Sequence, residues 1–384
     1  DLDGDGRLDI VATWTRGAAI ALQGADGTFT PRPLDTNTDG GVGRQFWGVT
    51  PFDFDVDGDL DLMLTVYDGP NSVMRNDGGG SFVEQVTGAA SALYDPTDYV
   101  SYSATVVVGP PGRVRPLLYV ANDGFGPGRP TVKPDYVFAM PGPWQFDPVP
   151  LPDSPDSSMG VDFAHLDDGE TTLVAVSQTG SFPVLVLRGE TLTPLSPRVD
   201  GMRPVNSWAV LFDDFDMDGR EELFYASGRQ EGDVPRGATM PPASGHLFMF
   251  CQEGETTPPR LRDCSAGVGE LFNAADVGDF MSAAIADFDR DGCPDIVVTP
   301  VFRSFLATQS TAPSTPIRLL RNRCYEGMRW VGLDIPDRRG VVYQMVGSDA
   351  EGNAVTRYRE HKVAAGSGSH GAAQIRFSLA GVDT

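Results

Sequence analysis

One nine-residue acidic pattern occurs four times in the chain and constrains the fold more than any other stretch. The copies are Asp1-Leu-Asp-Gly-Asp-Gly-Arg-Leu-Asp9, Asp53-Phe-Asp-Val-Asp-Gly-Asp-Leu-Asp61, Asp214-Phe-Asp-Met-Asp-Gly-Arg-Glu-Glu222 and Asp287-Phe-Asp-Arg-Asp-Gly-Cys-Pro-Asp295. Their starts lie 52, 161 and 73 residues apart, which reads as one unit, three units, and one unit with an insertion. Two degenerate copies fill the long gap. Gly109-Pro-Pro-Gly112 leads into Leu117–Val120, and His165-Leu-Asp-Asp-Gly169 leads into Leu173–Val176. Both keep a turn followed by an apolar strand and have lost most of the acids. Six units are therefore countable, and self-similarity at such a period is the mark of a repeat architecture.

The flanks repeat as well. Six residues before the first Asp stand Trp47, Trp208 and Met281, each followed by a small residue, Gly48, Ala209 or Ser282, and then by the alternation of a strand. Behind the loops, Ile10–Ala12, Leu62–Leu64, Leu223–Tyr225 and Ile296–Val298 are continuous apolar runs suited to strands buried on both faces. Ala18–Phe29 and Ser72–Phe82 read as hairpins turning at Ala25-Asp-Gly27 and Asp77-Gly-Gly-Gly80. No stretch reads as an amphipathic helix. Each unit thus supplies four strands, and the expected fold is all-β: a β-propeller of four-stranded blades, six units countable and seven blades favoured. An open β solenoid is the weaker reading, because 50 residues is long for a solenoid coil. The propeller is expected over 1–329. The tail, 330–384, reads as four strands near 330–335, 340–347, 354–363 and 373–379, a small β module that either completes the ring or stands apart.

Asp at positions 1, 3 and 5, Gly at 6 and an acid at 9 make the arrangement a hard cation requires. Alternate carboxylates converge, the glycine permits the reversal, and the carbonyl of position 7 completes an oxygen cage suited to Ca²⁺. The expected ligands are Asp1, Asp3, Asp5 and Asp9; Asp53, Asp55, Asp57 and Asp61; Asp214, Asp216, Asp218 and Glu222; and Asp287, Asp289, Asp291 and Asp295. The carbonyls of Arg7, Asp59, Arg220 and Cys293 join them, giving four calcium sites. An EF-hand needs its last acid at position 12 and helices on both sides, which excludes that fold here. Solvated Asp-Gly turns would account for one such loop. Four with matching spacing and flanks require more, since uncompensated carboxylates packed together repel strongly. Mg²⁺ is the lesser option, being smaller and reluctant to shed water.

These loops and their strand flanks resemble FG-GAP (VCBS-type) repeats, the calcium-binding blades of integrin-α-like propellers. Val73-Met-Arg-Asn-Asp-Gly78 with Ser81-Phe82 resembles that family's next strands. The tail, from Trp330-Val-Gly-Leu-Asp334 through Val363–Gly368 to Ile375–Leu379, is similar to the ASPIC/UnbV module that follows such repeats in cartilage-acidic-protein-like secreted proteins, with a differing last element. The resemblance implies an extracellular, calcium-stabilised adhesion or scaffold protein and implies no reaction.

Charge now falls into place. The chain carries 53 acidic and 29 basic side chains, a formal charge of −24. Sixteen of those acids are expected calcium ligands, so 37 remain against 29 bases and four bound Ca²⁺ would bring −24 to −16. The acidic balance argues against a nucleic-acid binder, which needs a basic face, and no stretch approaches the ~20 apolar residues of a membrane span. Lys133 and Lys362 are the two lysines among the basic residues. Four cysteines, Cys251, Cys264, Cys293 and Cys324, lack a CxxC pair and so suit disulfides in an oxidising compartment better than zinc. Of three connectivities, Cys251–Cys264 with Cys293–Cys324 closes the shortest loops; four buried thiols are the alternative. A secreted or cell-surface location follows. The chain begins at Asp1 without a methionine or signal peptide, which reads as a mature form, a fragment or the ordered part of something longer.

No catalytic residue is expected. His165, His246, His361 and His370 share no metal-ligand spacing, and there is no nucleophile elbow, P-loop or HExxH. Asp153, Asp156, Asp162 and Asp167 are left over by calcium and read as loop acids, while Tyr94, Tyr99, Tyr102, Trp144 and Phe146 read as blade packing before they read as sugar platforms. The expected partner is an extracellular protein or glycan, with self-association into a polymer as a further expectation. The first loop has no strand before it, so upstream sequence, the tail, or a strand from a neighbouring chain would complete the first blade. No Asn-x-Ser/Thr sequon occurs, and Thr308–Pro316 reads as a flexible loop before an O-glycan site. The alternative function is a carbohydrate-active propeller, a polysaccharide lyase or a lectin.

Overall fold

The computed structural model describes residues 1–14, 17–34, 44–66, 69–85, 101–109, 115–123, 134–151, 158–178, 182–195, 199–200, 207–228, 245–254, 256–269, 272, 280–300, 316–323, 328–334, 341–360, 362 and 374–382. Strands dominate, as the alternation and the apolar runs require. Sheet 1 holds β1 (Ile10–Trp14), β2 (Gly17–Gln23) and β3 (Phe29–Pro33); sheet 2 holds β4 (Phe46–Phe52), β5 (Asp61–Val66), β6 (Ser72–Asn76) and β7 (Phe82–Glu84). Sheet 3 holds β8 (Ser101–Val107), β9 (Leu117–Asn122), β10 (Tyr136–Ala139) and β11 (Asp147–Val149). Sheet 4 holds β12 (Ser158–His165), β13 (Thr171–Gln178), β14 (Val184–Arg188) and β15 (Thr191–Pro194). Sheet 5 is ordered β16-β20-β19-β18-β17, with β16 (Val199–Asp200), β17 (Ser207–Asp213), β18 (Glu222–Ser227), β19 (Leu247–Glu253) and β20 (Arg260–Asp263). Sheet 6 holds β21 (Phe280–Ala286), β22 (Asp295–Pro300) and β23 (Arg318–Leu320). One helical turn, α1 (Ser265–Val268), follows β20.

The six sheets are the blades of a β-propeller. Within each, neighbours pair antiparallel in chain order, and the acidic loops join the first strand of a blade to the second. In the fifth blade β16, arriving from the fourth, adds itself parallel to β20 at the outer edge. The first strands pack in succession, β4 on β8, β8 on β12, β12 on β17 and β17 on β21, and β1 packs on β4. Apolar cores lie between consecutive blades. Phe182 and Tyr225 stack between the fourth and fifth blades at 4.4 Å, and Phe224 and Phe280 sit between the fifth and sixth. No such cluster among the described residues joins the sixth blade to the first.

Every first strand from the second blade to the sixth carries a β-bulge at one place. The extra residues are Trp47, Tyr102, Met159, Trp208 and Met281. A bulge re-aims one side chain out of the sheet alternation, and these five meet in a single axial cluster, with Trp47 and Tyr102 rings 4.8 Å apart. Hydroxyls on the second strands bind the bulges of adjacent blades together. Thr65 Oγ1 accepts the Gly48 amide at 2.8 Å and donates to the Tyr102 carbonyl at 3.0 Å; Ser177 links Gly160 to Trp208 in the same way. A Cβ on Gly48 would lie 2.7 Å from the Tyr102 carbonyl oxygen, which explains the small residue after the bulge. The sequence exposes this feature at Trp47, Trp208 and Met281 and hides it at Tyr102 and Met159, where the neighbouring loops are degenerate.

The expected continuous burial of second strands holds for β5 and β18 and fails for β1, where Ile10 and Trp14 are 48% and 46% exposed. Val11 packs towards the second blade, and among the described residues no apolar cluster covers the opposite face of β1, so Ile10 and Trp14 stay open.

A seventh blade is not among the sheets, which corrects the favoured count. The tail strands β24 (Trp330–Asp334), β25 (Val342–Ser348), β26 (Ala354–Glu360) and β27 (Gln374–Ser378) pair as two two-stranded sheets, β24 with β27 and β25 with β26. The β25–β26 hairpin is inserted between two strands that pair with each other, so no four-strand meander forms. Polar contacts carry this module onto the loop after β8 and onto the ends of β12 and β17. Glu360 accepts the Val108 amide at 3.1 Å and the Gly109 amide at 3.2 Å, and Lys362 donates to the Phe212 carbonyl at 2.9 Å.

Cys251 and Cys264 are joined across 13 residues, as the spacing suggests, and tie β19 to the segment after β20. Cys293 is disulfide-bonded too, whereas Cys324 lies outside the described residues. Closing a loop of this length contributes about 3 kcal/mol. The Cys251→Ser, Cys264→Ser double variant is therefore expected to lose stability of that order in urea unfolding, and an unchanged midpoint would show that the hairpin is held by packing alone.

Candidate metal centres

Each acidic loop leaves the end of a sheet and returns as the second strand, and its backbone is set by two left-handed residues. Position 6 is glycine throughout, with φ of 83°, 102°, 100° and 95° at Gly6, Gly58, Gly219 and Gly292. Position 4 is left-handed as well, although three of the four residues there are not glycine: Val56, Met217 and Arg290 have φ of 63°, 59° and 62°. For a β-branched residue such as Val56 that conformation is an outlier. It persists where surrounding contacts over-determine it, which is characteristic of functional loops.

Those contacts are the loop's own carboxylates. The first acid caps the turn: Asp1 accepts the amides of Gly4 at 2.9 Å and Gly6 at 2.8 Å, Asp53 that of Gly58 at 3.1 Å, Asp214 that of Gly219 at 3.0 Å and Asp287 that of Gly292 at 2.9 Å. The acid at position 5 accepts the amide at position 7, from Arg7, Asp59, Arg220 or Cys293. The outcome is convergence. In each of the sets Asp1/Asp3/Asp5, Asp53/Asp55/Asp57, Asp214/Asp216/Asp218 and Asp287/Asp289/Asp291, one oxygen per residue lies within 4.8 Å of the others.

The ninth-position acids stand outside these groups. Asp9, Asp61 and Asp295 use one oxygen for the amide at position 2 and the other for an amide at the end of the third strand, Gln23, Asn76 or Asn322, at 2.6–3.0 Å. Glu222 accepts the Phe215 amide at 2.8 Å. This acid staples the loop to the blade. Asn76 and Asn322 then reach the preceding blade or loop through their side chains, to the carbonyls of Leu2 and Phe215 at 2.8 and 2.6 Å. Those two asparagines carry no acidic signature and were not legible as site residues.

The electrostatics leave the loops in need of a cation. Asp3 Oδ1, Asp55 Oδ1 and Asp214 Oδ1 are buried and take no hydrogen bond from the protein. Burial pushes the Asp53, Asp55 and Asp216 carboxyls above the ordinary carboxylate range, those of Asp61 and Asp214 up to about 7, and that of Glu222 up to about 10. In the first and fourth loops arginines stand close, Arg7 on Asp5 and Arg321 on Asp289. Hard oxygen donors, three converging carboxylates and orphaned buried oxygens fit a calcium-sized cation.

Other candidates are placed differently. Tyr102 belongs to the axial cluster, and Trp144 and Phe146 each pack on Phe54 with ring centres 6.0 Å away, so all three serve packing. His246 precedes β19 and lies beside Phe248. His165, at the end of β12, is buried between Thr172 Oγ1 at 2.9 Å and Glu360 Oε2 at 2.8 Å. Asp162 is buried against Lys362 at 3.2 Å. Asp167 borders a small, open polar cleft of about 190 Å³ with Asp168, Arg220, Glu221 and Arg359, and burial raises its carboxyl pKa. Asp153, Asp156, Tyr94, Tyr99, His361, His370 and residues 308–315 lie outside the described residues.

No helix among the described residues is long and apolar enough to cross a membrane. No curated protein sequence matches the chain. Among solved structures, similarity extends to a mutant of AofleA from Arthrobotrys oligospora, 11% identical over 76% of this chain and 82% of that one, TM-score 0.39. A Lactobacillus plantarum protein is 12% identical over 82% and 94%, TM-score 0.38. The exo-β-1,3-galactanase 1,3Gal43A from Clostridium thermocellum is 8% identical over 75% of this chain and 57% of that one, TM-score 0.36. Values this low transfer neither a ligand nor an activity. Residues 1–64, which hold the first two acidic loops, match the family model of the FG-GAP-like repeat.

Proposed function

We propose that the chain is an extracellular, calcium-stabilised β-propeller that serves as a non-catalytic binding, adhesion or surface-assembly protein. The observation that carries this reading is the set of four carboxylate triads on loops of matching backbone conformation, three of them with an orphaned buried oxygen. A divalent cation in each would fix the ends of four blades and leave the remaining surface free for an extracellular protein or glycan. The Cys251–Cys264 disulfide supports an oxidising compartment. The resemblance of the tail to an ASPIC/UnbV module belongs to the same proposal.

The polar cleft beside Asp167, Asp168 and Glu221 favours a second reading, a carbohydrate-active propeller, because it gathers carboxylates at a concave surface. A polysaccharide screen in calcium separates the two. Retention on an immobilised matrix protein or ordered self-assembly, abolished by EDTA, with no polysaccharide retained or cleaved, is the expected result. Depolymerisation of a polysaccharide, or its retention without cleavage, would replace the first reading with the second, as a lyase or a lectin respectively.

A further inference from the structure

Among the described residues, loop 214–222 is the acidic loop whose carbonyls at three successive positions are taken by the C-terminal strands. The exposure of position 4 shows the difference: Val56 is 72% exposed and Met217 only 4%. Three successive carbonyls are engaged from the C-terminal strands. Ser378 Oγ on β27 donates to Met217 O, Arg357 Nη2 on β26 donates to Asp218 O at 3.4 Å, and Arg359 Nη2 donates to Gly219 O at 3.1 Å. Arg357 is anchored in turn on the carbonyls of Ser378 and Ala380. Gly219 has no room for a Cβ, because the Arg357 guanidinium occupies that space. Loop 287–295 is touched at Gly292 by Trp330; its first acid, Asp287, is half-buried where Asp214 is buried, while the third- and fifth-position acids are exposed in both loops.

The same loop holds the most enclosed first acid. The Asp214 side chain is 5% exposed; its Oδ2 lies 3.6 Å from Arg359 Nη2, and its Oδ1 is buried without a donor. Arg359 has Glu221 3.9 Å away, and the acidic groups Asp214, Asp216, Asp218, Glu221 and Glu222 outnumber the cations Arg220, Arg357 and Arg359. Carbonyls 217–219 are presented to the tail only while Met217 and Gly219 hold their left-handed conformations, and the converging carboxylates impose those conformations.

We infer that loop 214–222 and strands β26 and β27 form one coupled unit, in which cation binding by the loop and docking of the C-terminal strands favour each other. The inference rests on the calcium reading above and adds to it a specific backbone clamp. The factor by which docking of the tail raises cation affinity is the factor by which the bound cation favours docking, because linkage is reciprocal. Asp216 and Asp218 stay open to water, so the tail holds the loop from its backbone side, and release of the ion is slowed because the loop must loosen from β26 and β27 first.

The test uses the full chain loaded with radiolabelled calcium and chased with excess EDTA. Three ions are expected to leave together and the fourth at least about tenfold more slowly. Ser378→Ala should quicken the slow fraction, and Arg359→Ala with Ser378→Ala should merge it with the fast one. In calcium, Asp216→Asn should raise hydrogen exchange at 354–360 and 374–378, whereas Asp55→Asn in the second loop should not. Release of all bound calcium at one rate overturns the inference, as does unchanged exchange in Asp216→Asn. A chain that retains no calcium at all overturns the underlying calcium reading instead, and the two failures are thereby distinct.

Discussion

Chelation with EDTA is expected to lower the melting temperature of this chain further than any single substitution. The reason lies in the number of sites and in how little the protein itself does for their charge. A site that binds at ~10 μM in millimolar calcium gains roughly 2.7 kcal/mol by mass action, and four such sites gain on the order of 10 kcal/mol, comparable with the whole stability of a domain. Removal of the cations leaves three carboxylates within 4.8 Å at each loop. The second and third loops should suffer most, since Asp55 Oδ1 and Asp214 Oδ1 are buried with no donor and Asp61, Asp214 and Glu222 are the acids that burial raises furthest. The first and fourth loops have Arg7 and Arg321 as partial substitutes. Differential scanning calorimetry with and without EDTA, beside elemental analysis, is the measurement. A melt indifferent to EDTA in a protein that contains no calcium would remove the metal from the account altogether.

Replacement of Lys362 by Met should be the most damaging single substitution in the C-terminal module. Lys362 follows β26 and reaches between the fourth and fifth blades, with Asp162 at 3.2 Å, the Phe212 carbonyl at 2.9 Å and Glu221 at 3.8 Å. Its Nζ also lies over the Phe163 and Phe212 rings at 5.4 and 5.8 Å. Loss of one partner strands the other charge in a buried site, at a cost of about 3–5 kcal/mol. The pH dependence has a definite sign. Burial already holds the Asp162 carboxyl at about 6, above its ordinary value, so the stability tied to its proton is present in acid and lost as pH rises through 6. Without Lys362 that pKa climbs further, and the loss relative to the parent should be large at pH 8 and small at pH 5. Asp162→Asn in the same chain should restore much of it, because an amide still accepts the Phe212 amide, now at 2.6 Å from Oδ2, without a charge. Equal losses at both pH values would place the role of Lys362 in packing rather than in charge.

Both effects bear on what was readable in advance. The acidic loops were legible because positions 1, 3, 5 and 6 act within one turn of chain, where Asp and Gly impose their geometry irrespective of what lies beyond. The hairpins at 25–27 and 77–80 and the link between Cys251 and Cys264 were legible for the same reason, sequence proximity. The staple made by the ninth acid was half legible. Its residue type was evident, but its amide partners Gln23, Asn76 and Asn322 are 14–27 residues away and carry no distinctive chemistry.

Arg357, Arg359, Lys362 and Glu360 mark the boundary. In the chain they are ordinary charged residues on an alternating strand, which periodicity assigns to solvent. In the fold they are the contacts that seat the C-terminal module on blades whose loops lie some 140–250 residues earlier. The amino-acid sequence alone determined the repeating unit, the calcium-type loops and the propeller, because each follows from interactions among near neighbours repeated along the chain. Only the tertiary structure decided the six-blade count, the meeting of five bulged residues on the axis, and the burial of the tail's cations over one loop. Those depend on the balance between desolvation and pairing of groups brought together from far apart, and no local pattern encodes that balance.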